Sequence, residues 1–193
     1  MADVHLGAKP DRKYWWSKER EKEIYTSFYA VLAKAKSEKV DLVIISGDLF
    51  QNPPTYEQLL EINTQFAKLS PIKIVYIAGN QDFVEPDCAS DLFQFAPNVI
   101  FLKDTKRQAH YIEELDTWVY GISYDRQKIT ASIYDDLTPD SEEGIHILLA
   151  HGGDSEHSPM DFEKLKWSGF DYIALGHIHR QQTLVEDLMV YPG

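Results

Sequence analysis

The sequence holds a single cysteine, Cys88, so no disulfide can form within the chain. That usage points to a reducing compartment, and a cytoplasmic location is the simplest reading. Long apolar runs are also missing. None approaches the ~18–20 residues needed to cross a bilayer, so no membrane association is expected. The opening "MADVHLG" lacks the basic and apolar regions of a secretory signal. Positive charge is scarce: 19 Lys and Arg against 31 Asp and Glu leave a net charge of −12. Such a balance opposes spontaneous binding to a polyanion. Bound divalent cations would reverse the local sign, so the charge alone does not exclude nucleic acid. Internal repeats, low-complexity tracts and a domain linker are absent as well. With 193 residues, 44% of them apolar, the chain is expected to form one domain with a full core over residues 1–193.

Hydrophobic patterning sets the expected architecture. Residues 16–37 carry Ile24, Phe28, Val31, Leu32 and Ala35 at helical spacing, with Ser17 as the expected N-cap. "DLVIIS" (41–46) and "IKIVYIA" (72–78) are continuous apolar runs, as expected for strands covered on both faces. A helix over residues 55–69 separates them, giving a βαβ core. In the second half "VIFL", "AHYIEEL" and "TWVYGIS" read as short strands spaced like a meander. "IHILLA" and "DYIAL" are buried strands again, and "QTLVED" with "LMVYPG" reads as a closing hairpin. The sum is an α/β chain with mixed sheets and flanking helices.

One event recurs. A buried strand ends, and a small residue with Asp, Asn or His follows: "DVH" (Asp3, His5), "GD" (Asp48), "GN" (Asn80), "HGG" (His151) and "GHIH" (His177, His179). Ligands collect outside the carboxyl ends of strands in open α/β sheets. Asp-x-His and His-x-His on an extended segment would put both side chains on one face. Two Asp, one Asn and four His supply oxygen and nitrogen donors without a thiolate. Seven donors exceed one tetrahedral zinc site and suit two cations sharing a carboxylate. A lone strand-end His or Asp is more often a cap or a satisfied polar group. Four of the seven histidines falling in these motifs argues against coincidence. His110 and His146 lie in strand patterns, where packing or solvent exposure accounts for them, and His157 follows "HGGDSE" outside the ligand set.

These five ordered blocks resemble the signature of the calcineurin-like metallophosphoesterases. "DVHLGA", "GDLF", "GFDYIALGHIH" and "VYPG" resemble the SbcD-like DNA repair nucleases within that superfamily. The resemblance implies a four-layer α/β/β/α sandwich, two mixed sheets flanked by helices, with two divalent metal ions at one edge. One ion would use Asp3, His5, Asp48 and His179; the other would use Asp48, Asn80, His151 and His177. Mn²⁺ is the implied cofactor, with Fe, Zn²⁺ or Mg²⁺ as alternatives, and phosphodiester hydrolysis of DNA the implied activity. Gln81 stands where the family pattern has a histidine, flanked by Asp82 as its orienting carboxylate. Gln51 stands at a second position where such nucleases usually have histidine, a phosphate contact.

An imidazole can protonate a leaving alkoxide, a contribution of roughly 10²–10⁴-fold, whereas an amide can only donate a hydrogen bond. Weakened nuclease catalysis is therefore expected, with Asp82 bonded to the Gln81 amide. The alternatives are a non-catalytic metal-binding module for DNA or a protein partner, and a small-molecule phosphodiesterase. The first strand is expected to be truncated before Asp3, leaving Asp3 and His5 poorly anchored. The family's capping region and its segment binding an SbcC-type ATPase are not expected within these residues. Finally, "KPDRKYWWSKER" mixes basic and aromatic residues beside the first ligand pair. That composition suits single-stranded nucleic acid, although a loop with tryptophans packed on the sheet is the plainer reading.

Overall fold

A computed structural model describes residues 1–193. Helix α1 (Ser17–Glu38) buries Phe28 and Leu32, with Ile24, Tyr25 and Ala35 beside them, as the spacing predicts, but Val31, expected on the same face, is exposed. Its start differs from expectation. Ser17 lies inside the first turn, where its hydroxyl donates to the Pro10 carbonyl at 2.6 Å, so it is not free to cap. Helix α2 (Tyr56–Ala67) opens on a capping box. The Thr55 hydroxyl accepts from the Gln58 amide at 3.3 Å, and Gln58 Oε1 accepts from the Thr55 amide at 2.9 Å.

Two sheets form. In the smaller, β1 (Leu42–Ser46), β2 (Lys73–Ile77) and β3 (Val99–Phe101) run parallel in that order. The larger contains β4 (Gln108–Ile112), β5 (Thr117–Gly121), β6 (Ile145–His151), β7 (Tyr172–Gly176), β8 (Gln182–Val185) and β9 (Met189–Tyr191), in the order β4-β5-β6-β7-β9-β8. β4/β5 and β8/β9 pair antiparallel; the remaining neighbours are parallel. The expected meander is only partly present. The "VIFL" segment joins β2 in the smaller sheet. Asn98 secures that entry by donating its side-chain amide to the Phe66 and Ile72 carbonyls at 2.9 and 3.1 Å. Of the expected meander only β4 and β5 pair antiparallel, joined by a short 3₁₀ turn, Glu113–Leu115.

Three apolar clusters glue these layers. α1 and α2 pack on the smaller sheet through Phe28, Leu32, Leu59, Ile62 and Phe66. Val75 and Ile77 meet Val119, Leu149 and Ala174 between the sheets. Tyr120, Leu148 and Ile173 cover the other side of the larger sheet, together with Leu165 of α3 (Phe162–Lys166). β1 and β7 approach closely at their carboxyl ends. The Ser46 hydroxyl donates to Ala174 O at 2.9 Å. A Cβ on Gly176 would sit 1.9 Å from Ser46 O, so only glycine permits this approach. No helix is long and apolar enough to cross a membrane.

The segment before α1 runs beside β1. Met1 O accepts from Ser46 N, Asp3 N donates to Gly47 O, His5 N to Asp48 O, and Leu6 N to Leu49 O, all at 2.9–3.1 Å. Leu6 and Phe50 form a parallel bridge. Asp3 and His5 are thus tied at each backbone amide to the loop that carries Asp48, contrary to the poor anchoring expected. They are not on an extended segment either: both adopt left-handed backbone, each with φ 53°. Their side chains converge through the turn, not through strand alternation.

Candidate metal centre

The carboxyl ends of β1, β2, β6 and β7 carry Asp48, Asn80, His151, His177 and His179, and the Met1–Leu6 segment brings Asp3 and His5 to the same edge. Gly79 is what lets two of these loops meet. A Cβ there would lie 2.3 Å from Asp48 Oδ1 and 2.7 Å from the His151 ring.

The hydrogen bonds fix the direction of each imidazole lone pair. His151 Nδ1 lies 2.8 Å from Ser46 O. A carbonyl only accepts, so Nδ1 carries the proton and Nε2 of the neutral ring presents its lone pair. That lone pair points at Asn80 Oδ1, 2.9 Å away, and at Asp48 Oδ2, 3.5 Å away. His177 repeats the pattern. Its Nε2 lies 2.7 Å from Asp154 Oδ2 and donates to it, leaving the Nδ1 lone pair 3.0 Å from the same Asn80 oxygen. Acceptors thus face acceptors at hydrogen-bond distance. With the Asn80 oxygen in this orientation a proton or a cation reconciles them, and a divalent ion suits the oxygen and imidazole donors. The proton alternative is visible too. Burial lowers and the neighbouring Asp48 carboxylate raises the His151 imidazole, with a net value of about 9. A bound cation would displace that proton.

A second donor set adjoins the first. His5 Nε2 and His179 Nε2 approach to 3.0 Å, Asp3 Oδ1 lies 3.7 Å from His179 Nε2, and Asp48 Oδ2 lies 3.9 Å from His5 Nε2. The Asp3 carboxylate also accepts from the His177 backbone amide, at 3.0 and 2.9 Å, which stitches the first segment to the end of β7. Asp48 Oδ2 therefore faces both sets. Burial works against ionisation of Asp48, but His151 and the Gln81 amide outweigh it and hold the carboxyl below its usual range.

The non-ligand candidates sit differently from expectation. Asp82 does not reach the Gln81 side chain. It is buried, with Oδ1 accepting from the Gly79 and Asp48 amides at 2.7 and 3.2 Å and Oδ2 from Phe50 N at 3.1 Å. Burial and then the Asp48 charge push its carboxyl up to about 7 despite those bonds. Asp82 is thus a clasp between the β1 and β2 loops. Gln81 instead pairs with Gln51: Gln51 Nε2 donates to Gln81 Oε1 at 3.3 Å, while Gln81 N donates to Asp48 Oδ1 at 2.8 Å. The two amides line the edge of the centre together.

Asp154 and His157 belong to the site and were not in the expected ligand set. His157 Nδ1 lies 2.9 Å from Asp154 Oδ1, and its ring packs on His177 with centroids 4.4 Å apart. Slight burial opposes it, but hydrogen bonds led by His177 hold the Asp154 carboxyl far below the ordinary range. The available signal was a carboxylate three residues past His151, with a histidine three residues further on. His110 and His146 stay outside the centre: the first is exposed on β4, the second buried against Tyr120.

Comparison with known proteins identifies the family. Mre11, the DNA double-strand break repair protein of Methanocaldococcus jannaschii, is 29% identical over 204 aligned positions, covering 100% of this chain and 54% of that protein. Mre11 of Methanococcus maripaludis is 31% identical, covering 94% of this chain and 51% of that protein. The uncharacterized metallophosphoesterase YhaO of Bacillus subtilis is 27% identical, covering 88% and 44%. The chain spans about half the length of these curated relatives. Residues 1–181, all five strand-end motifs among them, match the family described as calcineurin-like phosphoesterase, and the chain belongs to that family.

Proposed function

We propose that residues 1–193 are a metallophosphoesterase catalytic domain, a four-layer α/β/β/α sandwich, that hydrolyses phosphodiester bonds in DNA with impaired leaving-group protonation. The observation that carries this reading is the convergence of the His151, His177 and Asn80 lone-pair atoms beside an Asp48 oxygen that also faces His5. Asp48, Asn80, His151 and His177 would hold one divalent ion, and Asp3, His5, Asp48 and His179 the other, Mn²⁺ being the best fit. When bound, the pair supplies positive charge for a phosphoryl group and acidifies a water for in-line attack. The chain's own residues hold this geometry. Ser46 O and Asp154 fix the imidazole tautomers, Asp82 clasps the two loops, and Asp3 ties the first segment to His177. The Gln51–Gln81 pair can hydrogen-bond a phosphate oxygen but holds no transferable proton. The names of the Mre11 relatives favour DNA as the substrate, and the single cysteine a cytoplasmic setting.

The same Gln51–Gln81 pair favours a second reading, a metal-dependent binding module without turnover. An assay with Mn²⁺ across an activated aryl phosphodiester, DNA and a cyclic nucleotide separates the readings. We expect clear turnover of the aryl diester, slow cleavage of DNA and none of the cyclic nucleotide. Metal binding with no aryl turnover would overturn the enzyme reading. Turnover of the cyclic nucleotide without DNA cleavage would overturn the choice of substrate.

A further inference from the structure

The segment joining the metal centre to α1 is built unlike a packed loop. Trp15 is 81% exposed and Tyr14 55% exposed, so neither ring packs on the sheet. They are nevertheless held. Tyr14 stacks on Trp16 with centroids 4.4 Å apart and planes 6° from parallel, and Trp15 abuts Trp16 edge-on at 5.6 Å. Trp16 is in turn fixed by its indole N–H, donated to Asp11 Oδ2 at 3.0 Å, and the turn is closed by Tyr14 N donating to Asp11 O at 2.8 Å. Two large rings are thus presented to solvent on a preordered turn, at little conformational cost to a ligand.

Charge surrounds them. Lys9, Arg12 and Lys13 enter no ion pair, and the one acidic residue among them, Asp11, already accepts from Trp16. Three cations within five residues make a local basic stretch in a chain of net charge −12. Lys9 and Arg12 also line a notch of about 340 Å³ with Gln51 and Asn52. Gln51 is bonded to Gln81, the neighbour of Asn80, so the notch opens directly beside the metal centre.

From this geometry we propose that residues 9–16 are a holding surface for single-stranded DNA, on which Tyr14 and Trp15 stack bases while Lys9, Arg12 and Lys13 take the phosphates leading into the centre. The inference rests on the nuclease reading for its choice of DNA. Base faces are open to stacking only where a strand is unpaired, since a continuous duplex keeps them against one another. Aromatic platforms beside a basic track are how unpaired strands are held without sequence preference.

The test is binding of a labelled oligothymidine by fluorescence anisotropy, with the whole chain in EDTA at low ionic strength, so that no cleavage intervenes. We expect Trp15→Ala to weaken binding about tenfold and the Tyr14→Ala/Trp15→Ala double variant on the order of 100-fold. Arg12→Ala/Lys13→Ala should lower the salt slope by roughly 0.7 per cation removed. A blunt duplex of equal length should bind more weakly than the single strand. Both aromatic sites are exposed, and circular dichroism with the thermal midpoint checks that each variant folds. Unchanged affinity in the double variant, equal affinity for the duplex, or no binding of the unpaired strand would each overturn the proposal. Because the measurement needs no turnover, absence of DNA cleavage with binding intact would sink the nuclease reading and leave this surface standing.

Discussion

Asp154 accepts the Nε2 proton of His177 at 2.7 Å, and that bond turns the other ring nitrogen toward Asn80 Oδ1 at 3.0 Å. A carboxylate behind a ligating imidazole fixes both its tautomer and its orientation, and losing such a partner typically costs about 10–100-fold in metal affinity. Asp154→Ala is therefore expected to weaken one of two Mn²⁺ sites by that order in a calorimetric titration, leaving the other unchanged. Asp154→Asn keeps an acceptor oxygen and should fall between. Asp154 also accepts from the Glu156 and His157 amides at 2.8 and 2.9 Å, so Asp154→Ala should lower apo stability by about 1–2 kcal/mol in urea unfolding. Identical titrations for Asp154→Ala and the parent chain would refute the positioning role.

Asp48 stands between the two donor sets, with one oxygen 3.5 Å from His151 Nε2 and 3.9 Å from His5 Nε2. Removing its charge should therefore empty both sites, where Asn80→Ala should disable only one. A bound ion stabilises the fold by mass action, about 2.7 kcal/mol per site at a hundredfold excess over Kd. The parent chain should accordingly lose thermal stability on chelation. Asp48→Asn should show a midpoint indifferent to EDTA. A chelator response of parental size in Asp48→Asn would contradict the shared-carboxylate geometry.

Gln81 cannot deliver a proton, and its Oε1 is engaged by Gln51 Nε2 at 3.3 Å. A histidine at this position could keep that contact through one ring nitrogen and protonate a departing alkoxide with the other. Gln81→His is expected to raise Mn²⁺-dependent DNA cleavage by roughly 10²–10⁴-fold. Hydrolysis of an aryl diester, whose leaving group needs no proton, should change little. Comparable gains on both substrates would mean that the substitution acts on binding or geometry and not on proton transfer.

The parts of the fold legible in the sequence share one physical feature. β1, β2, β6 and β7 are covered on both faces, so they stand out as unbroken apolar runs, and each ends in a residue aimed at the same edge. "VIFL" is ambiguous because the three residues of β3 carry no period that distinguishes a parallel partner in one sheet from a hairpin partner in the other. The convergence of Asp3 with His5 followed from their spacing, but the mechanism did not, since both residues leave the extended region for φ 53°. The sequence does not single out Asp154, and it assigns Asp82 the wrong partner, for a different reason. Their roles depend on which groups other loops bring to them, and a carboxylate in a turn looks the same whether it serves an imidazole, a backbone amide or water.

Asp82 supplies the sharpest stability test, because its carboxylate is buried and collects the amides of Gly79, Asp48 and Phe50. Asp82→Ala would leave three buried N–H groups without an acceptor. Each such loss costs about 1–3 kcal/mol, and partial relaxation of the loops makes a total of roughly 3–5 kcal/mol reasonable. Asp82→Asn is nearly isosteric and would spare the two bonds to Oδ1, yet it would turn an NH₂ toward the Phe50 N–H. Donor against donor costs the Phe50 bond, while removal of a buried charge beside Asp48 offsets part of that, so Asn should fall between alanine and the parent chain. Urea unfolding of the two variants decides the matter. If Asp82→Ala unfolds at the parental midpoint, Asp82 is not the clasp between the β1 and β2 loops, and the backbone must hold Asp48 and Asn80 in register without it.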